Sequence, residues 1–110
     1  MAGEDIVFKI KADFLKCLAH PVRLSVIEHL KNGETSVGEM VKKLGVEQSV
    51  LSKHLAILRQ GGILKSRQEK ATVYYSIKDE DIYHILRPIA EIIRKKIKES
   101  QIILNHLAKM

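Results

Sequence analysis

The sequence predicts a mainly α-helical fold carrying one small β-hairpin, in the order α-α-α-α-β-β-α. Three observations predict it. Apolar residues recur at helical spacing from about Glu4 to Gln60 and again from Asp79 to Met110. Between them, Thr72-Val73-Tyr74-Tyr75-Ser76-Ile77 is β-branched and aromatic, as strands are. Finally, Pro21, Asn32-Gly33, Gly45, Gly61-Gly62 and Pro88 cut the chain into short helical blocks followed by one long one.

The first helix spans about Glu4 to Leu18, with Ile6, Ile10, Phe14 and Leu18 four residues apart and acids in the first turn. Pro21 suits the first position of a second helix, where its missing N–H is not needed. Val22, Val26, Ile27 and Leu30 give that helix an apolar face, and Asn32-Gly33 ends it. Ser36-Val37-Gly38-Glu39 has the form of a capping box opening a third, two-turn helix that stops at Gly45. A fourth runs from about Gln48 to Gln60, burying Leu51, Leu55 and Leu58 in a narrow stripe.

Ile63 to Arg67 and Thr72 to Ile77 read as two strands of a hairpin, joined by a polar turn without glycine. From Asp79 the pattern is helical again. Leu86, Ala90, Ile93, Ile97, Ser100, Leu104 and Leu107 form a heptad seam. Pro88 interrupts it, predicting a kink or a helix that begins near Arg87, and the acids Asp79, Glu80 and Asp81 are expected to cap it.

A two-turn helix, a glycine turn and a longer helix with a polar, basic face form a helix-turn-helix signature, and the basic hairpin that follows is a wing. The chain is thus read as one winged-helix domain over residues 1–110. Its first and last helices supply a dimer seam through Ile6, Ile10, Phe14, Leu86, Ala90, Ile93, Ile97 and Leu104.

Charge points the same way. The net charge is +6, and between Gln48 and Lys78 six basic residues face one acid, Glu69. A basic block on a short domain is what phosphate neutralisation requires, although it also suits an acidic protein, a membrane surface or plain solubility. Major-groove readout needs short polar and amide side chains near a helix amino terminus. Gln48, Ser49, Ser52 and Lys53 meet that need, with Arg59 further along. Arg67, Gln68 and Lys70 of the wing suit phosphates or a minor groove.

One cysteine, Cys17, excludes an intramolecular disulfide. Glu4, Asp5 and Lys9 interrupt any signal-like apolar run, and no stretch is long enough to span a membrane, so a cytoplasmic setting is expected. No glycine-rich phosphate loop, Ser/His/Asp elbow or paired acids in an apolar setting are present, so an enzyme is not expected. Two further readings stay open. One is a winged-helix module that binds protein, and the other is a sequence-neutral architectural DNA binder.

The run Leu15-Lys16-Cys17-Leu18-Ala19-His20-Pro21-Val22-Arg23-Leu24 resembles the opening of the ArsR-type family of winged-helix repressors. Ser49 to Leu64, with Ser52, His54, Leu55, Leu58, Arg59 and Gly62 in order, is similar to that family's recognition helix, and Val73 to Ile77 to its closing wing strand. The resemblance covers about Phe14 to Ile77. It implies a homodimer that reads double-stranded DNA at a two-fold operator, represses, and is released by an inducer. It also places His54 in the recognition-helix pattern and His20 where the family usually has Asp.

Metal-sensing relatives place thiolates where this chain has Ser36 and Gly38, and soft metals need those thiolates. Counting eleven and fourteen positions on from His84, where relatives hold further ligands, gives Lys95 and Lys98. Neither metal site is therefore expected, nor any other cofactor, and the inducer is left unnamed. Cys17 is a candidate redox sensor, set against a role as a small buried packing residue.

Overall fold

The computed structural model describes residues 2–110; Met1, at the edge of the expected domain, lies outside them. The chain divides into two compact units, one running to Asp79 and the other from Glu80 to Met110. The first holds α1 (Gly3–Leu18), α2 (Pro21–His29), a 3-10 turn (Leu30–Asn32), β1 (Thr35–Ser36), α3 (Val37–Leu44), α4 (Gln48–Gln60), β2 (Leu64–Glu69) and β3 (Thr72–Ile77). The second is the single long helix α5 (Ile82–Ala108).

Local chemistry explains the helix boundaries. Pro21 stands in the first turn of α2, and His20 caps it, its Nδ1 accepting the Val22 N–H at 3.1 Å. His20 thus performs the capping usual for Asp. Ser36 caps α3, its Oγ accepting the Glu39 N–H at 3.2 Å. Gly45 ends α3 with φ +64°, the left-handed conformation that a residue without Cβ adopts at least cost.

Leu18 of α1, Val26 and Ile27 of α2, Met40 of α3, and Leu51, Leu55 and Leu58 of α4 are buried together with Ile63, Leu64 and Ile77. The four-residue stripe expected along α1 goes inward only at Leu18. Ile6, Ile10 and Phe14 remain exposed.

The sheet has three strands, not two, in the order β1-β3-β2. β1 pairs antiparallel with β3 through Thr35↔Tyr75 and Ser36↔Tyr74. Two residues carry too little pattern to be read as a strand, so sequence periodicity missed β1. β2 extends two residues further toward the turn than expected, from Leu64↔Ile77 to Glu69↔Thr72. That leaves Lys70-Ala71 as a two-residue turn, with Lys70 at φ 57°. A positive φ at the first central residue is the hairpin-turn conformation in which glycine is usual.

Of the two alternatives at Pro88, a start near Arg87 is overturned: α5 begins at Ile82 and continues through Pro88. Pro88 lies in the second turn, where its ring removes one hydrogen bond and the rest of a long helix carries the conformation. Asp81 stands at the N-cap, where its side chain makes no capping hydrogen bond, and its carboxylate lies 3.8 Å from His84 Nε2. Ile93, Ile97, Leu104 and Leu107 of the seam are exposed, and so are Ile85, Ile89, Ile92, Ile102 and Ile103 outside it.

Candidate nucleic-acid interface

α4 presents two chemically different faces. Leu51, Leu55 and Leu58 are fully buried, whereas Gln48, Ser49, Ser52 and Lys53 are exposed. Packing of the leucine stripe thus sets the helix rotation that turns the polar residues outward. Ser49 Oγ donates to Glu47 Oε1 at 2.9 Å, which holds the hydroxyl at the helix start. Gln48 and Ser52 also line an open groove with Gly38 of α3 and Thr72, Val73 and Tyr75 of β3. This groove joins the exposed face of α4 to the wing.

At the other end of α4, Arg59 Nη1 donates to Ser66 Oγ at 3.2 Å and ties the helix to β2. Gln68 Nε2 donates to the Lys70 carbonyl at 3.2 Å across the turn, leaving the Lys70 side chain exposed at the wing tip. Arg67 is exposed but engaged. Its Nε donates to Glu34 Oε1 and Oε2 at 3.0 and 2.8 Å, its Nη2 to Glu34 Oε1 at 2.7 Å, and its Nη1 to Glu69 Oε2 at 2.9 Å. The Arg67 hydrogen bonds hold the Glu34 carboxyl below the usual carboxylate range. Glu34, thirty-three residues away in sequence, carries no motif that could have announced this pairing.

His54 is corrected. It is only 7% exposed, on the inner side of α4, with its ring 4.1 Å from that of His20. It therefore leaves the set of residues that face outward. Burial pushes its pKa down, and neighbouring His20, Arg23 and Lys53 push the same way.

Cys17 packs beneath the end of α4, its Sγ donating to the Ile57 carbonyl at 3.5 Å. Burial pushes its thiol up, outweighing the Arg23 charge, so the environment favours the unreactive thiol over a thiolate. Among the described residues no group of three or more His, Cys, Asp or Glu side chains is placed to hold a metal ion. Nor is any helix among them long and apolar enough to cross a membrane.

A short helix, a glycine turn, a second helix with a polar outer face and a three-stranded sheet ending in a basic wing define a winged helix-turn-helix protein. A helix-turn-helix domain family matches residues 18–67. The chain is 33% identical over 102 residues to Rv0081 of Mycobacterium tuberculosis, an uncharacterized HTH-type transcriptional regulator, covering 92% of this chain and 90% of that one. The crystal structure of Rv0081 superposes with a TM-score of 0.76 at 34% identity, over 84% of this chain and 94% of the other. NolR from Sinorhizobium fredii gives 0.75 at 34%, over 84% and 93%. The solution structure of Mb0332 from Mycobacterium bovis gives 0.75 at 25%, over 90% and 95%. It is described as a homodimeric winged helix-turn-helix domain and a possible ArsR-family transcriptional regulator. The chain belongs to the ArsR-type family of winged helix-turn-helix transcriptional regulators, and it is a DNA-binding protein of that family.

Proposed function

We propose that the protein is a homodimeric repressor that reads a two-fold symmetric operator, with α1, α5 and the winged-helix core acting as one functional domain. The observation that carries this is the sorting of α4, with its leucines buried and Gln48, Ser49, Ser52 and Lys53 outward beside the wing. In this reading Gln48 and the two serines discriminate between base edges, as amide and hydroxyl groups do in the major groove. Lys53, Arg59 and Lys70 supply affinity by displacing counterions from phosphates.

The exposed apolar residues of α1 and α5 are the surface a second copy covers. A two-fold dimer then sets its recognition helices about 34–36 Å apart, one turn of duplex. Its DNA target makes the cytoplasm its working compartment, and its role is binding, not catalysis.

The test is a fluorescence-anisotropy titration against the DNA upstream of its own gene and a scrambled duplex at several salt concentrations. About a hundredfold preference for the upstream DNA, with a steep salt slope, is expected. Equal binding to both duplexes would instead make it a sequence-neutral binder. No binding at low salt would leave a protein-interaction module.

A further inference from the structure

We propose that Glu34 and Arg67 form a latch that sets the angle of the wing against the helix-turn-helix, so that Arg67 positions the wing and does not itself bind phosphate. The inference rests on the DNA-binding reading and replaces the phosphate contact that the sequence alone suggests for Arg67.

The register places the pair. Ser36, Tyr74 and Arg67 stand side by side across β1, β3 and β2, and paired residues of antiparallel strands share a face. Glu34 precedes Ser36 by two residues and so falls on that same face. The Arg67 guanidinium lies over the Tyr74 ring, 4.6 Å from its centroid, and reaches across the whole of β3 to Glu34. The cross-link therefore joins the outermost wing strand to the residue just before β1. Two residues later Ser36 caps α3, the first helix of the motif.

Exposed ion pairs generally contribute little, with bidentate or networked pairs the exception. This one is both. Each of the three guanidinium nitrogens donates to a carboxylate, and the ring beneath adds a cation–π contact. Counted together, Arg67, Glu34 and Glu69 carry one net negative charge, a poor neighbour for phosphate. Lys70, exposed at the turn, is then the cation that the tip of the wing offers to DNA.

The two roles for Arg67 predict opposite signs. The protein and its Glu34→Gln, Arg67→Gln, Arg67→Lys and Glu34→Gln/Arg67→Gln variants would be titrated against the upstream and scrambled duplexes at several salt concentrations. Amide hydrogen exchange across residues 64–77 would be followed without DNA. A latch predicts that each single variant weakens binding about fivefold and that the double variant is no worse than either single. It also predicts an unchanged salt slope and lower wing protection in all of them. Arg67→Lys should fail like Arg67→Gln, because an ammonium cannot replace a bidentate fork.

A phosphate-binding Arg67 would instead make Glu34→Gln bind more tightly. Arg67→Gln would then lower the salt slope by about one, with Arg67→Lys near wild type. That pattern, or unchanged wing protection in Glu34→Gln, overturns the latch. Lost wing protection in a protein that binds neither duplex would support the latch while refuting the DNA reading.

Discussion

The His20 and His54 rings lie 4.1 Å apart, where the residue capping α2 meets the inner face of the recognition helix. His20 uses Nδ1 as an acceptor for the Val22 N–H, a role open only to an unprotonated nitrogen. His54 Nδ1 is buried and has no hydrogen-bond partner among the described residues. The groups acting on His54 are His20, Arg23 and Lys53, all cationic when charged. A proton on His54 is therefore disfavoured, first by burial and then by these neighbours.

This arrangement makes stability depend on pH in a defined direction. The folded pKa of His54 lies below the usual 6.5, so below that pH the unfolded chain binds a proton that the folded chain refuses. The stabilisation is complete above about pH 6.5 and is lost as the pH falls toward and through the depressed folded value. Urea-unfolding midpoints should be flat from pH 7 to 8 and fall between pH 6.5 and 5. His54→Phe, which keeps a ring against His20, should flatten that fall. The lowered carboxylates Asp13 and Glu34 act only at more acidic pH, outside this window. An unchanged acid limb in His54→Phe would remove His54 as its source.

Gly61 illustrates a constraint of space, not of backbone. Its φ of −77° is open to any residue, yet a Cβ there would lie 2.4 Å from Cys17 Sγ and 3.3 Å from the Ile57 carbonyl oxygen. Gly61→Ala forces the thiol out of its place against α4 and should cost about 1–3 kcal/mol in urea unfolding. Cys17→Ala removes the sulfur, so the double variant should be more stable than the sum of the two single losses. Strict additivity would mean that the two side chains do not collide.

Much of this architecture was legible in the sequence because its punctuation is local. Pro21, Gly45 and the Ser36 cap act within one helical turn, and the leucine stripe of α4 is a repeating pattern. What was not legible depends on contacts between distant segments. β1 exists because Thr35 and Ser36 meet β3, not because two residues prefer a strand. His54 looked like a recognition residue by its place in a family pattern, but its angle around α4 puts it with the leucines. Arg67 read as a free cation because Glu34 lies thirty-three residues before it.

Lys70 separates wing stability from wing charge. Its φ of 57° costs a residue with a Cβ about 1–2 kcal/mol, and glycine escapes that cost while losing more chain entropy on folding. Lys70→Gly should therefore leave thermal stability equal or raised by up to about 1 kcal/mol. On the proposed reading the same change removes a phosphate partner, and it should weaken upstream and scrambled duplexes alike and lower the salt slope by about one. By contrast, Gln48→Ala should narrow the gap between the two duplexes at nearly constant slope. Parallel titrations of both variants check this, and equal losses on both duplexes for Gln48→Ala would remove Gln48 from base readout.

Ile97 tests which stripe of α5 meets a second copy. It is 64% exposed and belongs to the heptad seam, whereas Ile92, 60% exposed, lies outside it. Covering an isoleucine contributes about 1.5–3 kcal/mol, and in a two-fold interface one substitution acts twice. Ile97→Glu should thus weaken dimerisation by about 3–6 kcal/mol, on the order of a hundredfold to ten-thousandfold in the dimer dissociation constant. Helix content should persist, because the side chain is already exposed in the single chain. Sedimentation equilibrium would report a monomer at concentrations where the wild type is dimeric, and operator affinity should fall as one half-site is lost. Ile92→Glu is the control and should remain dimeric. Dissociation by Ile92→Glu with a dimeric Ile97→Glu would move the interface to the other stripe of the helix.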